Sequence, residues 1–366
     1  MSHSLPFGAT LAEYQRQAER LYSALQAGED DARWNFKWMH PRYRGKSVRD
    51  VDAATLGVGD AQIVVAQEYA FDTWEDLAKF TEAVARDGPI ATFETAVEAV
   101  VGGDLPMIQS MLREHPELSH ARSTRRHHAT LLHYIGANGV EGVRQKTPSN
   151  AIEITRILLD AGAEPDAVAD LYDNKCTTMS MLVSSAHPAK AGLQAALAEL
   201  LLEYGAAPEG RGTAWQSPAM TALGFGYRDT AKALARRGAA PDTLSAAAGL
   251  GLVDEARRRL PIADSKERHI AIALAAQHGN TEIVRLLLDA GEDPNRYNPD
   301  GWHSHSTPLH QAIASGHGDV VRLLVERGAR TDIKDKVYDG TALGWAVYCE
   351  RPAIADWLRT RGAEES

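Results

Sequence analysis

The chain has 366 residues, of which 44% are hydrophobic and 24% are charged, and its formal net charge is −10 at pH 7. It carries no clustered excess of Lys and Arg that could neutralise phosphates, so we expect no nucleic-acid partner. No apolar run is long enough for a membrane span or a signal peptide, so we expect no membrane partner. Two cysteines, Cys176 and Cys349, cannot form a disulfide framework, and we expect a reducing, cytoplasmic compartment.

Residues 1–90 are predicted to be helical and free of repeats. Apolar residues recur at helical spacing from Leu11 to Leu25. Thr73 followed by Asp76 predicts a capping box that opens a further helix. An open stack of repeats needs a cover over its first apolar face. We therefore interpret residues 1–90 as an N-terminal helical cap domain and residues 91–366 as a repeat array.

The repeated unit is clearest after Thr307-Pro308-Leu309-His310. The Thr–Pro pair opens a helix, because the hydroxyl caps unpaired N–H groups at a position where Pro needs no N–H. Gly316 ends this helix, and a second helix ends at Gly328. The opening residue and the closing glycine are 21 residues apart (328 − 307). The same spacing separates three further pairs, Ser217 and Gly238, Ile270 and Gly291, and Thr341 and Gly362.

The tetrad Thr-Pro-Leu-His at this spacing resembles the ankyrin repeat, a unit of about 33 residues. The resemblance implies an all-α ankyrin-repeat solenoid, built from helix-turn-helix units with short β-hairpin fingers. With weaker units near 243–263 and 92–119, residues 91–366 would hold about eight units. The helical N-terminal segment and the stretch from Thr130 to Ala151 further resemble bacterial ankyrin-repeat proteins. That further likeness implies architecture rather than chemistry.

Two neighbouring units are longer than the others. The unit opening at Thr130 closes at Gly162, 32 residues on (162 − 130), and the unit opening at Thr177 closes at Gly205, 28 residues on (205 − 177). The additional residues fall between the two helices, at 140–150 and 184–190. Because insertions at equivalent positions of adjacent repeats lie side by side, we expect them to form one ordered flap over a site.

The polar residues around these insertions are the candidates for chemistry. Imidazole, phenol and carboxylate groups can act as general acids or bases, and Arg and Lys can bind an anionic ligand. The candidate catalytic residues are His133, Tyr134, Glu141 and His187. The candidate ligand-binding residues near the insertions are Asn138, Arg144, Gln145, Lys146, Tyr172 and Asp173. The alternative is that Arg144 and Lys146 merely cap helix ends or pair with surface carboxylates.

Exposed fingers carry further candidate ligand-binding residues. Large rings on fingers either pack on a neighbouring finger or contact a partner. The candidates are Trp215, Trp302, His303 and His305. The basic run from Arg122 to His128 is interpreted as a solvated loop.

Histidines occur in two groups, which raises the question of a metal site. One group is His127, His128 and His133, and the other is His303, His305 and His310. The resemblance assigns His133 and His310 to the tetrad position, where the histidine ties the hairpin to the helix. Only pairs remain, and we therefore predict no metal site and no cofactor.

Recognition is the predicted function, with a protein segment or a small ligand bound on the concave face formed by the fingers and the inner helices. The alternative is a cofactor-independent enzyme, an acid–base lyase or hydrolase acting on a small anionic or aromatic substrate under the paired insertions. The neighbouring insertions favour the enzyme, and the lack of a recognisable catalytic motif disfavours it. The sequence leaves open whether there is any catalysis.

Overall fold

A computed structural model describes residues 5–210, 217–239 and 241–365 of the chain. The chain divides into two compact units, Met1–Trp215 and Gln216–Ser366, which are described separately. The N-terminal helices and the first helix pairs of the predicted array share the first unit. Trp215 lies outside the described residues.

The first unit begins with four helices that enclose their own core. These are α1 (Leu11–Gln26), α2 (Asp30–Met39), α3 (Val58–Glu68) and α4 (Trp74–Val84). The predicted capping box of α4 is confirmed in its first half, because Thr73 Oγ1 accepts a hydrogen bond of 3.1 Å from Asp76 N; the Asp76 carboxylate accepts from the Thr73 hydroxyl, at 2.6 Å. The core of these helices is formed by side chains such as Tyr14, Phe36, Val65, Leu77 and Phe80.

The rest of the first unit consists of helix pairs. They are α5 (Pro89–Gly102) with α6 (Leu105–Glu114), α7 (Leu131–Ile135) with α8 (Ala151–Asp160), and α9 (Thr178–Leu182) with α11 (Gln194–Glu203); the short α10 (Ala186–Lys190) lies in the second insertion. Between α8 and α9, strands β1 (Val168–Leu171) and β2 (Asn174–Thr177) pair antiparallel, with Val168 opposite Thr177. Among the described residues this is the one finger that forms a strand pair.

The second unit contains five further helix pairs among its described residues. They are α12 (Pro218–Gly224) with α13 (Arg228–Arg236), α14 (Leu244–Leu250) with α15 (Val253–Arg259), α16 (Ser265–Gln277) with α17 (Thr281–Asp289), α18 (Pro308–Ala314) with α19 (Gly318–Glu326), and α20 (Ala342–Tyr348) with α21 (Pro352–Thr360). Small and branched side chains from neighbouring pairs form one continuous core, which includes Leu244, Ile283, Leu309, Leu324 and Leu358.

Local signals placed most of these helices correctly. Thr130 and Thr307 stand immediately before α7 and α18, and Ser217 and Thr341 cap α12 and α20. The predicted opening at Ile270 is wrong. Helix α16 begins five residues earlier at Ser265, because Asp264 Oδ1 accepts a hydrogen bond of 2.7 Å from Glu267 N and so provides the cap.

Candidate functional site

A cluster of buried charged side chains lies where the N-terminal helices meet the first helix pairs of the same unit. We define this ionic cluster as Glu94, Arg125, Glu141 and Arg144, all of which are at most 3% exposed. Glu94 comes from α5, Arg125 from the loop before α7, and Glu141 and Arg144 from the first insertion. The prediction that Arg125 lies in a solvated basic loop is wrong, because its side chain is buried.

Aromatic rings and a backbone carbonyl hold Arg125 in place. Its guanidinium carbon lies 4.9 Å from the ring centre of Phe71 and 4.5 Å from that of Phe80. Its Nη1 donates a hydrogen bond of 2.7 Å to the carbonyl oxygen of Tyr69. Cation–π contacts of this kind are most favourable when the cation is shielded from water. Arg125 therefore links the loop before α7 to the core of the N-terminal helices.

The two arginines of the ionic cluster share the same carboxylates. Glu94 Oε2 lies 3.1 Å from Arg125 Nη2 and 2.6 Å from Arg144 Nη1. Glu141 Oε1 lies 2.6 Å from Arg125 Nε. Arg144 also donates two hydrogen bonds, of 2.9 and 2.8 Å, to Oε1 of the half-exposed Glu98. Two charge-assisted hydrogen bonds from one guanidinium to a single carboxylate oxygen hold the guanidinium in one orientation.

The first insertion is therefore anchored on α5. Arg144 contacts Glu94 and Glu98, and Asn150 Nδ2 donates a hydrogen bond of 2.9 Å to the Gly103 carbonyl at the end of the same helix. These contacts are with the helix pair before the insertion. The flap that the first insertion is predicted to form with the second remains a prediction.

Two neutral side chains complete the surroundings of Glu141. His127 Nδ1 accepts a hydrogen bond from Ala129 N at 3.0 Å, so the ring proton is on Nε2, which donates to Glu141 Oε1 at 3.1 Å. Tyr134 donates its hydroxyl to the same oxygen at 3.3 Å. Among the described residues, Glu141 Oε2 and Glu94 Oε1 are buried and accept no hydrogen bond. Buried unpartnered acceptors of this kind are typical positions for ordered water.

Burial and charge oppose each other in the pKa values of the cluster. Burial by itself would raise the pKa of Glu141, but Arg125, the hydrogen bond from His127 and Arg144 outweigh it and hold that pKa at about 2. For Arg144, burial would lower the pKa, and the nearby carboxylates raise it instead. Burial, reinforced by the charges of Glu141 and Glu94, raises the pKa of Tyr134 well above its usual value. At neutral pH the phenol is protonated and the carboxylate of Glu141 is charged.

The other two candidate catalytic residues lie elsewhere. His133 is fully buried, its Nδ1 accepts from Thr130 N at 3.2 Å, and its Nε2 donates to the Cys176 carbonyl at 3.2 Å. It therefore ties β2 to α7, as the resemblance implied for a tetrad histidine, and burial lowers its pKa to about 4. His187 is exposed on α10. The structure thus brings together Tyr134, Glu141 and Arg144, without His133 and His187.

The remaining candidates of the first unit lie on its surface. Asn138 Nδ2 donates to Ser184 Oγ at 2.9 Å and its Oδ1 accepts from the Tyr172 hydroxyl at 2.5 Å. Tyr172 and Asp173 both have positive φ angles, of 54° and 57°, and form the two-residue turn between β1 and β2. Gln145 Nε2 donates to the Val140 carbonyl at 2.9 Å, and Lys146 is exposed.

Phe71 and Phe80 also line a surface pocket of about 480 Å³. Its polar lining includes Lys79, Arg126 and His128, none of which was a candidate ligand-binding residue. This pocket is open to solvent, whereas the ionic cluster is closed to it.

In the second unit, rings follow one another across the fingers before α18 and α20. We define this aromatic row as Tyr338, His305 and His303. The ring centres of Tyr338 and His305 are 6.4 Å apart, and those of His305 and His303 are 6.1 Å apart. Trp345 lies beside the row, 6.0 Å from His305. Tyr338 is 77% exposed, although nothing in its sequence context singled it out.

Asp335 fixes the loop that presents Tyr338. Its Oδ1 accepts hydrogen bonds from Val337 N at 2.9 Å and from Tyr338 N at 2.7 Å. Its Oδ2 accepts from Gly340 N and from Trp345 Nε1, each at 2.9 Å. Burial by itself would raise the pKa of Asp335, but these donors outweigh it and hold the pKa at about 2. The loop is therefore a rigid support for an exposed tyrosine.

Trp302 is not an exposed finger residue, because it is only 6% exposed. Its ring packs against Gly224 at the end of α12, and the neighbouring His303 donates from Nε2 to the Gly224 carbonyl at 2.8 Å. Of the four finger candidates, His303 and His305 lie in the aromatic row, Trp302 is buried against Gly224, and Trp215 is not among the described residues.

Within the described residues, no group of three or more His, Cys, Asp or Glu side chains has a geometry that could hold a metal ion. Likewise, no helix in the described part of the chain is both long and apolar enough to cross a bilayer.

Comparison with known proteins identifies the repeats of the second unit. The family model described as ankyrin repeats (three copies) matches residues 244–336 and 272–365. The chain is 37% identical over 107 residues to the ankyrin repeat and SAM domain-containing protein 6 of Mus musculus, covering 28% of this chain and 11% of that protein. It is 40% identical over 85 residues to an ankyrin repeat-containing protein of Schizosaccharomyces pombe, covering 23% of this chain and 37% of that one.

A further relative is protein phosphatase 1 regulatory subunit 12A of Mus musculus, which is 37% identical over 73 residues, or 20% of this chain and 7% of that protein. The chain thus spans well under half the length of these relatives. Together with the helical architecture, the matches confirm the predicted all-α ankyrin-repeat solenoid with an N-terminal helical region. Ankyrin repeats and relatives of this kind support a protein-interaction scaffold.

Proposed function

We propose that this ankyrin-repeat chain is a cytoplasmic recognition scaffold whose second unit binds a protein segment along the aromatic row, on the concave face of the solenoid. The observation that carries the proposal is the row itself. Tyr338 is 77% exposed at one end of the row, which continues through His305 to His303. A large exposed ring gains free energy when a partner covers it, and tyrosine is enriched at binding hot spots.

Rigidity supports the same proposal. A flexible loop loses conformational entropy when it is immobilised by a partner, and this loss weakens binding. The four hydrogen bonds that Asp335 accepts hold the Val337–Tyr338 loop in one conformation before any partner arrives. Val337 is itself 62% exposed beside Tyr338, so the loop offers an aliphatic and an aromatic contact together.

A protein segment suits this surface better than a compact anion. The ring surface of Tyr338 and the methyl groups of Val337 favour apolar partner side chains, while the hydroxyl and the imidazoles provide hydrogen bonds. One relative is named as a regulatory subunit of a protein phosphatase, and a protein partner for this chain agrees with that name. The alternative is that a small ligand, rather than a protein segment, binds at the same surface.

Selection from a library of displayed random peptides tests the proposal on the purified full-length chain. Tyr338→Ala should weaken the selected peptides at least about tenfold, since hot-spot truncations cost about 2 kcal/mol or more and about 1.4 kcal/mol corresponds to tenfold. Ile262→Ala is the matched control, because Ile262 is 82% exposed and belongs to the same unit but not to the row. If the two substitutions lower the affinity of the peptides equally, or if neither changes it, the aromatic row is not the binding site.

A second candidate function is acid–base catalysis without a cofactor at Tyr134, Glu141 and Arg144. The observation in its favour is a buried group of ionisable side chains with strongly shifted pKa values, which is typical of active sites. Access is the difficulty, since these side chains are 1–3% exposed and a substrate requires the first insertion to open. The 480 Å³ pocket beside Phe71 is a nearby place for a small molecule to bind first.

Thermal-shift screening of small carboxylates and phenols against the wild-type chain and Tyr134→Phe tests the second candidate. A ligand of the cluster should stabilise the wild type more than the variant. Compounds that stabilise both equally, or none that stabilise either, would leave recognition as the function of the chain.

A further inference from the structure

A loop of the second unit packs against helix α12, which is distant in sequence. We define the strap as residues 297–306, in the connection between α17 and α18. An added Cβ on Gly224 would lie only 3.2 Å from Trp302 Cζ3, so the tryptophan ring rests directly on the backbone of α12. His303 Nε2 and Gln277 Nε2 both donate to the Gly224 carbonyl, at 2.8 and 3.1 Å. We call this position, formed by Gly224 and its carbonyl, the seat.

The strap is held together by its own hydrogen bonds. Asn298 N donates to the Ser306 carbonyl at 2.8 Å, Trp302 N to the Pro299 carbonyl at 3.0 Å, and Ser306 N to the His303 carbonyl at 3.0 Å. The contacts described above between the strap and the seat are made by the Trp302 and His303 side chains. Trp302 and His303 can therefore leave the seat while these internal backbone bonds are kept, and while the strap stays joined to the next finger through Lys336 N to the His305 carbonyl, at 2.8 Å, and the Tyr297 hydroxyl to the Lys334 carbonyl, at 2.6 Å.

The backbone on both sides of Trp302 is in the left-handed region. Gly301 has a φ of 85° and His303 a φ of 59°. A glycine adopts this conformation without cost, but a histidine does not. Backbone strain of this type is kept only when surrounding contacts enforce it, and it is common at binding sites and switches. Leaving the seat would relax His303.

The seat is continuous with the aromatic row. His303, the last ring of the row, is also the residue that donates to the Gly224 carbonyl. A peptide that follows the row from Tyr338 past His305 therefore arrives at the position that Trp302 covers. The chain's own strap shows which chemistry the seat accepts, namely an indole ring followed by a hydrogen-bond donor.

We propose that the seat binds the tryptophan side chain of a partner peptide and that Trp302 occupies it in the free chain. This inference rests on the proposed recognition function and names both its partner chemistry and its regulation. The partner carries a tryptophan followed by a side chain with an N–H donor, and it binds after displacing the strap. Because only open molecules are competent, the apparent affinity is reduced by the open fraction.

Binding of the strap sequence in trans tests the proposal. A fluorescently labelled peptide with the sequence of residues 297–306 is titrated into the wild-type chain and into Trp302→Ala, with anisotropy as the readout. Trp302→Ala should bind at least tenfold tighter than the wild type. The matched control peptide, with alanine in place of its tryptophan, should bind neither protein.

A second substitution fills the seat. Gly224 ends α12 and is not among the glycines with positive φ, so a leucine there is conformationally allowed once Trp302 is gone. Trp302→Ala combined with Gly224→Leu should therefore fold and lose the peptide. If folded Trp302→Ala does not bind the peptide, or if the double variant binds it equally well, the proposal is overturned.

Hydrogen exchange on the wild-type chain keeps the proposal testable if Trp302→Ala does not fold. The indole N–H of Trp302, whose residue is only 6% exposed in the seat, should exchange through a local opening that leaves the amides of α12 protected. Exchange of this N–H only together with the amides of α12 would overturn the proposal. None of these measurements involves Tyr338. If Tyr338→Ala does not weaken the selected peptides, the recognition function is contradicted and the seat is not. If the strap peptide does not bind folded Trp302→Ala, the seat is contradicted and the recognition function is not.

Discussion

The same Glu→Gln substitution can be made at a buried and at a half-exposed position of helix α5, and both positions contact Arg144. Glu94 and Glu98 are separated by one turn of α5, and both bind Arg144. The side chain of Glu94 is 1% exposed, whereas that of Glu98 is 50% exposed. Replacing each in turn with glutamine removes a charge of the same sign from the same partner and keeps the shape of the side chain.

The two substitutions should differ several-fold in their effect on stability. Glu94→Gln leaves Arg125 and Arg144 with one fewer buried counter-charge, and breaking a buried pair costs about 3–5 kcal/mol. Glu98→Gln breaks a pair that water already screens, which costs about 0–1 kcal/mol. In a unit of 215 residues each kcal/mol lowers Tm by about 2–4 °C, so we expect a decrease of at least about 6 °C for Glu94→Gln and at most about 4 °C for Glu98→Gln.

Thermal unfolding of the full chain is followed by circular dichroism, and the Tm of each variant is compared with that of the wild type. The two units need not unfold together, so the comparison is made between Tm values of the same transition. Equal decreases for both variants, or an unchanged Tm for Glu94→Gln, would refute the argument that burial decides the strength of these pairs.

Further predictions concern pH and the first insertion. Because the pKa of Glu141 is lowered to about 2 from 4.5, its contribution to stability is present above pH 4.5 and is lost as pH falls towards 2; Glu141→Gln should flatten the Tm profile in that window, and an unchanged slope would contradict this. His133, whose pKa is lowered to about 4, should remain neutral at pH 5 in an NMR titration, and its protonation near pH 6.5 would show that the ring is not buried. Arg144→Ala should lower Tm, whereas Lys146→Ala, at an exposed position, should change the free energy of unfolding by less than about 0.5 kcal/mol; similar Tm values for the two variants would contradict the buried role of Arg144. Elemental analysis of the purified chain should find no stoichiometric zinc, iron or copper, and one metal ion per chain would contradict that prediction.

The division of residues 1–90 and 91–366 remains a prediction. The helices up to α4 have a core of their own, which agrees with a separate cap. However, they belong to the same compact unit as the first helix pairs, up to Trp215. The ionic cluster explains how the two parts are joined, because the Arg125 guanidinium packs on the rings of Phe71 and Phe80.

The repeating helix pairs could be predicted from the amino-acid sequence, since their signals act over a few residues. At Thr307 the cap and the hydrogen bond to His310 span three residues, and Gly328 has the left-handed φ of 95° that its place after a helix requires. The same local reasoning failed at Ile270, where the tetrad is absent and Asp264 supplies the cap instead.

The contacts among charged and aromatic residues, in contrast, depend on how distant segments of the chain pack together. Arg125 and Glu94 are 31 residues apart in sequence, and His303 and Gly224 are 79 residues apart. An arginine in a basic run is usually solvated, and Arg125 is buried only because two rings and two carboxylates from distant segments surround it. Burial of a charge depends on the sum of such contacts, which no local pattern records.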